Sequence, residues 1–424
     1  MSLIVATTLQ QEDWIRSLSR GGRLRSMPCV VSVPRLLTAE KLSDALAVLL
    51  AEHPALRTSF GDDPGRAFVH TVDHAPTVVS LDHRGDPVET MREFATRPFD
   101  LDAATRIRAG LLRVAQRQSL LVLGIDHLCA DLASQHVIVH RLGELLRPGT
   151  TVASQPPESP GPYGRFADRQ RRALAGPWGK LVRAYWREHF ERWGPGRHPT
   201  PFARSVPGTG TSTARARITL PGSARAALAA LARQHRTSRF VVMAAAILCA
   251  QARLSAAPSV AVSTDFHGRT APGTADVVGL FSHGLRLPLE RSEAVDLNLA
   301  VPTVRERLNA MNRVAVPLGT AASDWAREAG VTPAAGADLY LVTQPRPAKR
   351  PDDGLDRPDV NAFAAAGPDR LYVELAGEGT ELALDVRMHT GTFDPQRVTE
   401  ALTGTFSMIT RAALAGTTTG GIRQ

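Results

Sequence analysis

The sequence predicts a mixed α/β protein built from two lobes. The chain has 424 residues with 43% hydrophobic content, which is enough for two domains or one large bilobal unit. Patterns typical of helices and of strands occur in both halves. Two stretches rich in Pro, Gly, Ser and Thr, residues 155–162 and 194–213, interrupt these patterns. We therefore predict an N-terminal lobe over 1–162, an inter-lobe helix and linker over 163–213, and a C-terminal lobe over 214–424.

The first lobe should contain amphipathic helices and buried strands. One helical face ends before Pro54, and a strand over residues 57–60 follows it. The apolar run over 120–125 predicts a second strand. Ser134 is the predicted N-cap of the next helix. The residues expected on the buried faces of these two helices are Leu42, Leu46, Leu49 and Leu50, then Ile138, Leu142 and Leu145.

The second lobe shows the same mixture of patterns. Residues 238–253 are almost wholly apolar, which predicts a buried helix, and a strand over 260–264 follows it. Segments 371–375 and 381–388 predict a β-hairpin. Residues 344–360 form a long stretch without periodicity. A last helix should begin at the cap Asp394 and the following Pro395, and bury Val398, Leu402, Phe406 and Ile409.

Composition favours a cytoplasmic enzyme. No apolar run reaches the roughly 18 residues of a membrane span, and the N-terminal segment lacks the basic region of a signal peptide. Cys29, Cys129 and Cys249 are widely spaced and form no CxxC motif, so they predict reduced thiols rather than a disulfide framework. His136 and His140 have the i, i+4 spacing of two metal ligands, but no third ligand accompanies them, so no metal site is predicted. We expect a cytoplasmic monomer without a membrane partner.

The net charge of +9 has two interpretations. The 50 Lys and Arg residues are spread along the chain, with local density at 165–172 and 346–350. Nucleic-acid-binding proteins more often show basic stripes with interleaved aromatics, and aromatics are only 5% here. No nucleic-acid partner is therefore expected. The charge either belongs to a solvated surface or attracts an acidic partner.

The segment Leu120–Ser134, LLVLGIDHLCADLAS, contains the strongest functional signal. It contains His127 and Asp131, four residues apart, directly after the predicted strand. The ordinary pKa of histidine lies near neutrality, so His127 can accept and return a proton during turnover. Asp131 can pair with a cation or fix the loop so that the imidazole is correctly oriented.

This block resembles the HHxxxDG active-site motif of nonribosomal peptide synthetase condensation domains, which belong to the chloramphenicol acetyltransferase-like superfamily. The second His and the Asp of the motif match His127 and Asp131, whereas Asp126 replaces the first His and Leu132 replaces the Gly. Other segments similar to the family occur in the same order. They are HPALRTSF at 53–60, PFDLDAATRIRAGLLRV at 98–114, residues 163–190, and VVGLFSHGLRLPL at 277–289, with His283 where Asn is usual.

The resemblance implies two acetyltransferase-like lobes in a V-shaped pseudo-dimer, with the active site and tunnel at their interface. It implies acyl transfer from a thioester, on the phosphopantetheine arm of an acidic peptidyl or acyl carrier protein or on CoA, to a small-molecule or carrier-bound amine or hydroxyl. No bound cofactor is implied. His127 would accept the nucleophile's proton or hold the ammonium-like transition state, and Asp131 would be held by Arg57. Ser282 and Thr343 are candidate oxyanion donors, and His283 is a further candidate residue of the tunnel. Residues 267–287 would form the loop that bridges beneath the tunnel.

The departures from the motif leave two alternatives open. Loss of the first His and of the Gly is compatible with a non-catalytic module that recruits a carrier protein or a tailoring enzyme. Asp126, Asp131 and Ser134 also satisfy the DxxxxDxxS pattern of heterocyclization domains. Those domains condense and then cyclise Cys, Ser or Thr. His127 and the condensation-like segment 277–289 argue against this second alternative.

Overall fold

A computed structural model describes residues 2–18, 25–34, 36–71, 76–82, 86–113, 118–147, 161–194, 200–206, 208–317, 321, 338–343, 370–377 and 379–419. These residues form two compact units. The first unit contains the described residues up to 180 together with 267–282. The second contains the described residues of 181–266 and those that follow from 283. The lobe boundaries predicted at residues 162 and 213 stay predictions, as does the V-shaped arrangement.

Two sheets form the framework of the first unit. The strands β1, β4 and β3 form an antiparallel sheet in the order β1-β4-β3, and a second sheet has the order β2-β7-β6-β5. The strands are β1 (Ser2–Ala6), β2 (Ser26–Pro34), β3 (Thr58–Phe60), β4 (Arg66–His70), β5 (Val78–Leu81), β6 (Ile107–Arg113) and β7 (Gln118–Asp126). The helices are α1 (Leu9–Leu18), α2 (Ala39–Glu52), α3 (Pro87–Thr96), α4 (Leu132–Leu145) and α5 (Gly161–Ala175).

Helix α2 and strand β7 follow the predicted patterns. Thr38 caps α2 by accepting a hydrogen bond from the backbone N–H of Lys41, and the four predicted leucines are buried. The predicted strand begins one residue later than expected, because Arg57 closes a short 3₁₀ turn over Pro54–Arg57. The apolar β7 lies between β2 and β6 and hydrogen-bonds to both, so both of its edges are satisfied. The end of β7 at Asp126 is therefore a rigid position for a functional side chain.

The second unit contains one six-stranded sheet in the order β10-β9-β11-β12-β13-β8. Its strands are β8 (Thr213–Thr219), β9 (Ser259–Phe266), β10 (His283–Glu290), β11 (Asp338–Val342), β12 (Arg370–Ala376) and β13 (Ala383–His389). The remaining helices are α6 (Pro177–Trp193), which begins in the first unit, α7 (Gly222–Gln234), α8 (Arg239–Leu254), α9 (Leu297–Arg313) and α10 (Pro395–Thr419).

Several predictions for the second half are confirmed. Helix α8 is buried, and β12 and β13 pair as the expected hairpin with Tyr372 opposite Arg387. The carboxylate of Asp394 accepts hydrogen bonds from the backbone N–H groups of Gln396 and Arg397, so it caps α10 as predicted. The predicted apolar face of α10 is buried. The single inter-lobe helix predicted within 163–213 is two helices, which are separated at Gly176.

One prediction for this half is corrected, and two lie outside the described residues. Residues 267–287 are not one loop, because 283–287 already belong to β10. The long stretch without periodicity at 344–360 lies outside the described residues, as does most of the Pro- and Ser-rich stretch 155–162. No single helix among those described has the length and apolarity to cross a membrane; only α7 and α8 taken together, bent by 107°, reach that length and composition.

Candidate active site

The candidate site begins where β7 ends. Asp126 is the last residue of that strand, and a short turn then leads to α4. The backbone N–H of His127 donates to the carbonyl of Arg25 at 3.0 Å, which holds the start of the turn. The amide of Gln11 donates to the carbonyl of Leu128 at 2.9 Å and holds its centre. The backbone that carries the imidazole is thus fixed on two sides.

The ring of His127 has one nitrogen committed to the backbone. Its Nδ1 lies 2.9 Å from the carbonyl oxygen of Ala130, and since a carbonyl can only accept, Nδ1 must carry the proton. The Nε2 atom of the neutral ring then presents a lone pair. Burial lowers the pKa of His127 below its ordinary value, although the hydrogen bond to Ala130 opposes this shift. The geometry and the lowered pKa both favour a neutral imidazole that can accept a proton.

Asp131 is the N-cap of α4 and is fully occupied by hydrogen bonds within the first unit. Its Oδ1 accepts from the backbone N–H and the hydroxyl of Ser134, both at 2.8 Å, and from Nη2 of Arg269 at 2.7 Å. Its Oδ2 accepts from the backbone N–H groups of Phe281 and Ser282 at 3.2 and 3.3 Å. A carboxylate with five donors is suited to hold structure in place rather than to reach a reacting atom.

The predicted cap at Ser134 is wrong. Asp131 caps the helix, and Ser134 lies inside its first turn, fully buried. The hydroxyl of Ser134 instead accepts from the backbone N–H of Gly279 at 3.0 Å and lies 2.8 Å from the carbonyl of the same residue. Asp131 competes better for the capping position because its carboxylate can accept the helix N–H and also neutralise an arginine.

The predicted pairing of Asp131 with Arg57 is also wrong. The guanidinium of Arg57 donates to the backbone carbonyls of Leu50, at 2.9 Å, and of His70. The cation that neutralises Asp131 is Arg269, whose side chain is 8% exposed and lies over the ring of Phe281 at 4.2 Å. Arg269 was not predicted from the sequence. What the sequence offered was the position of Arg269, eight residues before the segment 277–289 that resembles the family.

Three further contacts attach residues 279–281 to the N-terminal part of the chain. The hydroxyl of Tyr163 donates to the carbonyl of Leu280 at 3.0 Å and accepts from its N–H at 3.1 Å. The amide of Gln10 donates to the carbonyl of Phe281 at 2.9 Å. Gly279 leaves room for the Tyr163 ring, since a Cβ there would lie 2.2 Å from Cδ2 of the tyrosine.

Asp126 forms a buried ion pair that was not predicted from the sequence. Its Oδ2 accepts from Nη1 of Arg106 at 2.9 Å, and the two side chains are 1% and 0% exposed. Its Oδ1 accepts from the backbone N–H of Leu128 at 3.0 Å. Burial raises the pKa of Asp126, and the guanidinium of Arg106 opposes that rise. Arg106 lies in the matched segment 98–114 together with Arg108, so the local sequence did not indicate which arginine is buried.

The remaining predicted site residues occupy different environments. Leu132 is the first residue of α4 and is half-buried. Ser282 meets Asp131 through its backbone N–H. His283 is a buried residue of the second unit, with its ring 5.3 Å from that of Phe266. Thr343 is exposed, and its hydroxyl donates to the carbonyl of Leu375 at 3.2 Å. The oxyanion roles of Ser282 and Thr343 stay predictions.

Metal ligands are not clustered in the part of the chain that the structure describes. No group of three or more His, Cys, Asp and Glu side chains there is arranged to hold an ion. The thiol of Cys129 is buried beside the site, and burial raises its pKa well above the ordinary value, so it remains a neutral thiol. The titratable side chain of this loop that is placed to exchange a proton is His127.

Comparisons with known proteins agree on one family. The sequence model described as Condensation domain matches residues 3–413. Phosphinothricin tripeptide synthetase PhsC of Streptomyces viridochromogenes is 29% identical over 311 residues, covering 70% of this chain and 28% of that protein. Tyrocidine synthase 2 of Brevibacillus parabrevis is 26% identical over 293 residues, covering 67% of this chain and 8% of that protein. The chain thus spans less than a third of these relatives.

Solved structures are similar in fold. The condensation domain of the Monacolin K polyketide synthase MokA has a TM-score of 0.74 at 16% identity, covering 97% of this chain and 98% of that one. The first condensation domain of the CDA synthetase has a TM-score of 0.69 at 19% identity, covering 97% and 96%.

Proposed function

The chain belongs to the condensation-domain family, and from that premise we propose that it transfers an acyl group from a thioester to an amine or hydroxyl. The product would be an amide or an ester in natural-product biosynthesis. The observation that carries this proposal is the hydrogen bond from Nδ1 of His127 to the carbonyl of Ala130, which leaves Nε2 as the ring nitrogen that can accept a proton. The donor would be carried by an acidic carrier protein or by CoA.

In this reaction His127 would manage one proton. The nucleophile attacks the thioester carbonyl carbon while its proton passes to Nε2 of His127. The tetrahedral intermediate then breaks its C–S bond, and the departing thiolate takes that proton from Nε2. A positioned general base contributes about 10²–10⁴-fold. Correct alignment of two reactants can contribute roughly 7–11 kcal/mol, so most of the acceleration would come from positioning.

The roles of the two carboxylates follow from their contacts. Asp131 would hold the loop through Arg269 and the N–H groups of Phe281 and Ser282 rather than react. Asp126 would anchor the end of β7 through Arg106. Neither carboxylate is free of internal partners, which favours simple acyl transfer over the heterocyclization alternative.

A substitution of His127 tests the proposal. The purified chain is supplied with an acyl-N-acetylcysteamine thioester and a panel of amines, and product is measured by mass spectrometry. We expect His127→Ala to lower the transfer rate at least about tenfold with an unchanged thermal midpoint. The control is His136→Ala, which removes a half-buried histidine of α4, and it should leave the rate unchanged. Equal rates for His127→Ala and the parent would contradict the general-base role.

The same assay separates the alternatives. Absence of turnover by the parent with any donor, alongside binding of a carrier protein, would favour the non-catalytic module. A product lighter by one further water, formed with a cysteinyl, seryl or threonyl acceptor, would indicate heterocyclization. We expect neither result: the parent should form no thiazoline or oxazoline, and Asp126→Asn should lower transfer far less than His127→Ala.

A further inference from the structure

Helix α5 presents arginines to solvent on one face. Arg165, Arg169 and Arg172 follow the spacing i, i+4, i+7, which places them in a row about 10 Å long. All three are exposed. Among the described residues, none of the three has an ion pair or hydrogen-bond partner. The single acidic residue of α5, Asp168, offsets one of these charges.

The opposite face of α5 carries the contacts that hold the helix. Arg171 donates to the carbonyl of Thr7 at 2.9 Å and to the carboxylate of Glu12 at 3.0 Å. Tyr163 is buried, and Phe166 packs against the core of the first unit. The three outward arginines are therefore not needed for packing. Like charges at i, i+4 repel one another on a helix, so the row slightly destabilises the free protein.

We propose that the row Arg165–Arg169–Arg172 is a docking surface for an acidic protein. The planar guanidinium binds a carboxylate through two parallel hydrogen bonds. A partner helix with carboxylates at the same i, i+4, i+7 spacing would match the row. A nucleic acid fits less well, since the exposed positions of α5 hold no aromatic side chain on which a base could stack. The identification of this partner as the carrier that brings the thioester rests on the proposed function.

The test compares one acyl group on two donors. The donors are an acyl-N-acetylcysteamine thioester, which has no protein surface, and the same acyl group on a phosphopantetheinylated acidic carrier protein. The variant Arg165→Glu/Arg169→Glu/Arg172→Glu should raise KM for the carrier-bound donor at least about tenfold. Its kcat/KM for the free thioester should stay within about twofold of the parent. The control Arg233→Glu/Arg239→Glu/Arg253→Glu makes the same charge change at exposed positions of α7 and α8.

Salt provides a second measurement. Raising ionic strength from about 0.05 to 0.5 M screens surface charge, so it should raise the parent's KM for the carrier and leave the variant's nearly constant. Equal KM effects in the α5 and control variants, or no effect in either, would overturn the proposal. Retention of a labelled DNA duplex by the parent and not by the α5 variant would assign the row to nucleic acid instead. If the parent turns over neither donor, the proposed function fails, and direct titration with the carrier still tests the docking surface.

Discussion

At the scale of single residues, His127 is prepared as a base by burial and by one backbone hydrogen bond. Burial lowers its pKa below 6.5, so the ring is neutral at pH 7. Protonation on acidification would occupy Nε2 and remove the base. We expect kcat/KM for acyl transfer to be flat near neutrality and to fall only below pH 6.5. A pH–rate profile of the parent checks this, and an acid limb centred above that pH would contradict it.

The stability of the site should depend on Asp131 and Arg269. Removing one partner of a buried ion pair leaves an uncompensated charge, at a cost of about 3–5 kcal/mol. We expect Asp131→Ala and Arg269→Ala each to lower the free energy of unfolding by that amount, with strong coupling in a double-mutant cycle measured by urea denaturation. The matched cycle of Asp131→Ala with Arg57→Ala should be additive within about 0.5 kcal/mol, because Arg57 binds backbone carbonyls instead. Coupling in the second cycle and none in the first would restore the pairing inferred from the motif.

His53 should make the protein sensitive to acid. It lies at the end of α2, and among the described residues its buried Nε2 has no hydrogen-bond partner. Burial lowers its pKa from 6.5 to about 4. The unfolded chain therefore binds the proton first, so the contribution of His53 to stability is constant above pH 6.5 and declines between pH 6.5 and about 4. The loss should not exceed about 3 kcal/mol. Thermal midpoints across this range should fall less steeply for His53→Leu, and identical slopes would contradict the assignment.

At the scale of elements, the contact between Gly279 and α5 should tolerate no side chain. A Cβ at Gly279 would lie 2.2 Å from the ring of Tyr163. We expect Gly279→Ala to cost about 1–3 kcal/mol through overpacking. The control Gly61→Ala, whose Cβ would meet Phe68 at an ordinary 3.5 Å, should cost less. If the ring is the cause, Gly279→Ala should cost less in a Tyr163→Ala background than in the parent, in urea denaturation. An equal cost in both backgrounds would assign the effect to the backbone instead.

The elements themselves were largely predictable from the sequence. Leu42, Leu46, Leu49 and Leu50 specify one face of α2, and the apolar run of β7 specifies a buried strand. The cap of α4 was assigned to the wrong residue because Asp131 and Ser134 both suit the role. The choice between them depends on Arg269, which lies 138 residues away in sequence. Local patterns specify elements, but they do not specify which distant cation reaches a carboxylate.

At the scale of the whole molecule, chain order and spatial grouping differ, within the described residues, at one segment. Residues 267–282 belong by sequence to the C-terminal half, yet they complete the first unit. They supply the guanidinium of Arg269 and two backbone N–H groups to Asp131. They also supply the side chain of Phe281, which is fully buried. No periodicity in this segment indicates its destination. The residues of the motif could therefore be identified from the sequence, whereas the contacts that hold them could not.

The last prediction follows from this grouping. A fragment of residues 1–180 would leave Asp131 without three of its five donors and the contact surface of Phe281 uncovered. We expect the fragment to bind a hydrophobic dye and to unfold at low denaturant. Tethering a copy of residues 267–282 through a flexible Gly/Ser linker should raise its free energy of unfolding by about 2 kcal/mol or more, since a buried phenylalanine alone contributes about that much. The control is a tethered copy that carries Arg269→Ala. It should restore the stabilisation from burying Phe281, but it should not neutralise Asp131. Equal stability of the fragment with and without the tethered segment would show that the first unit does not need residues 267–282.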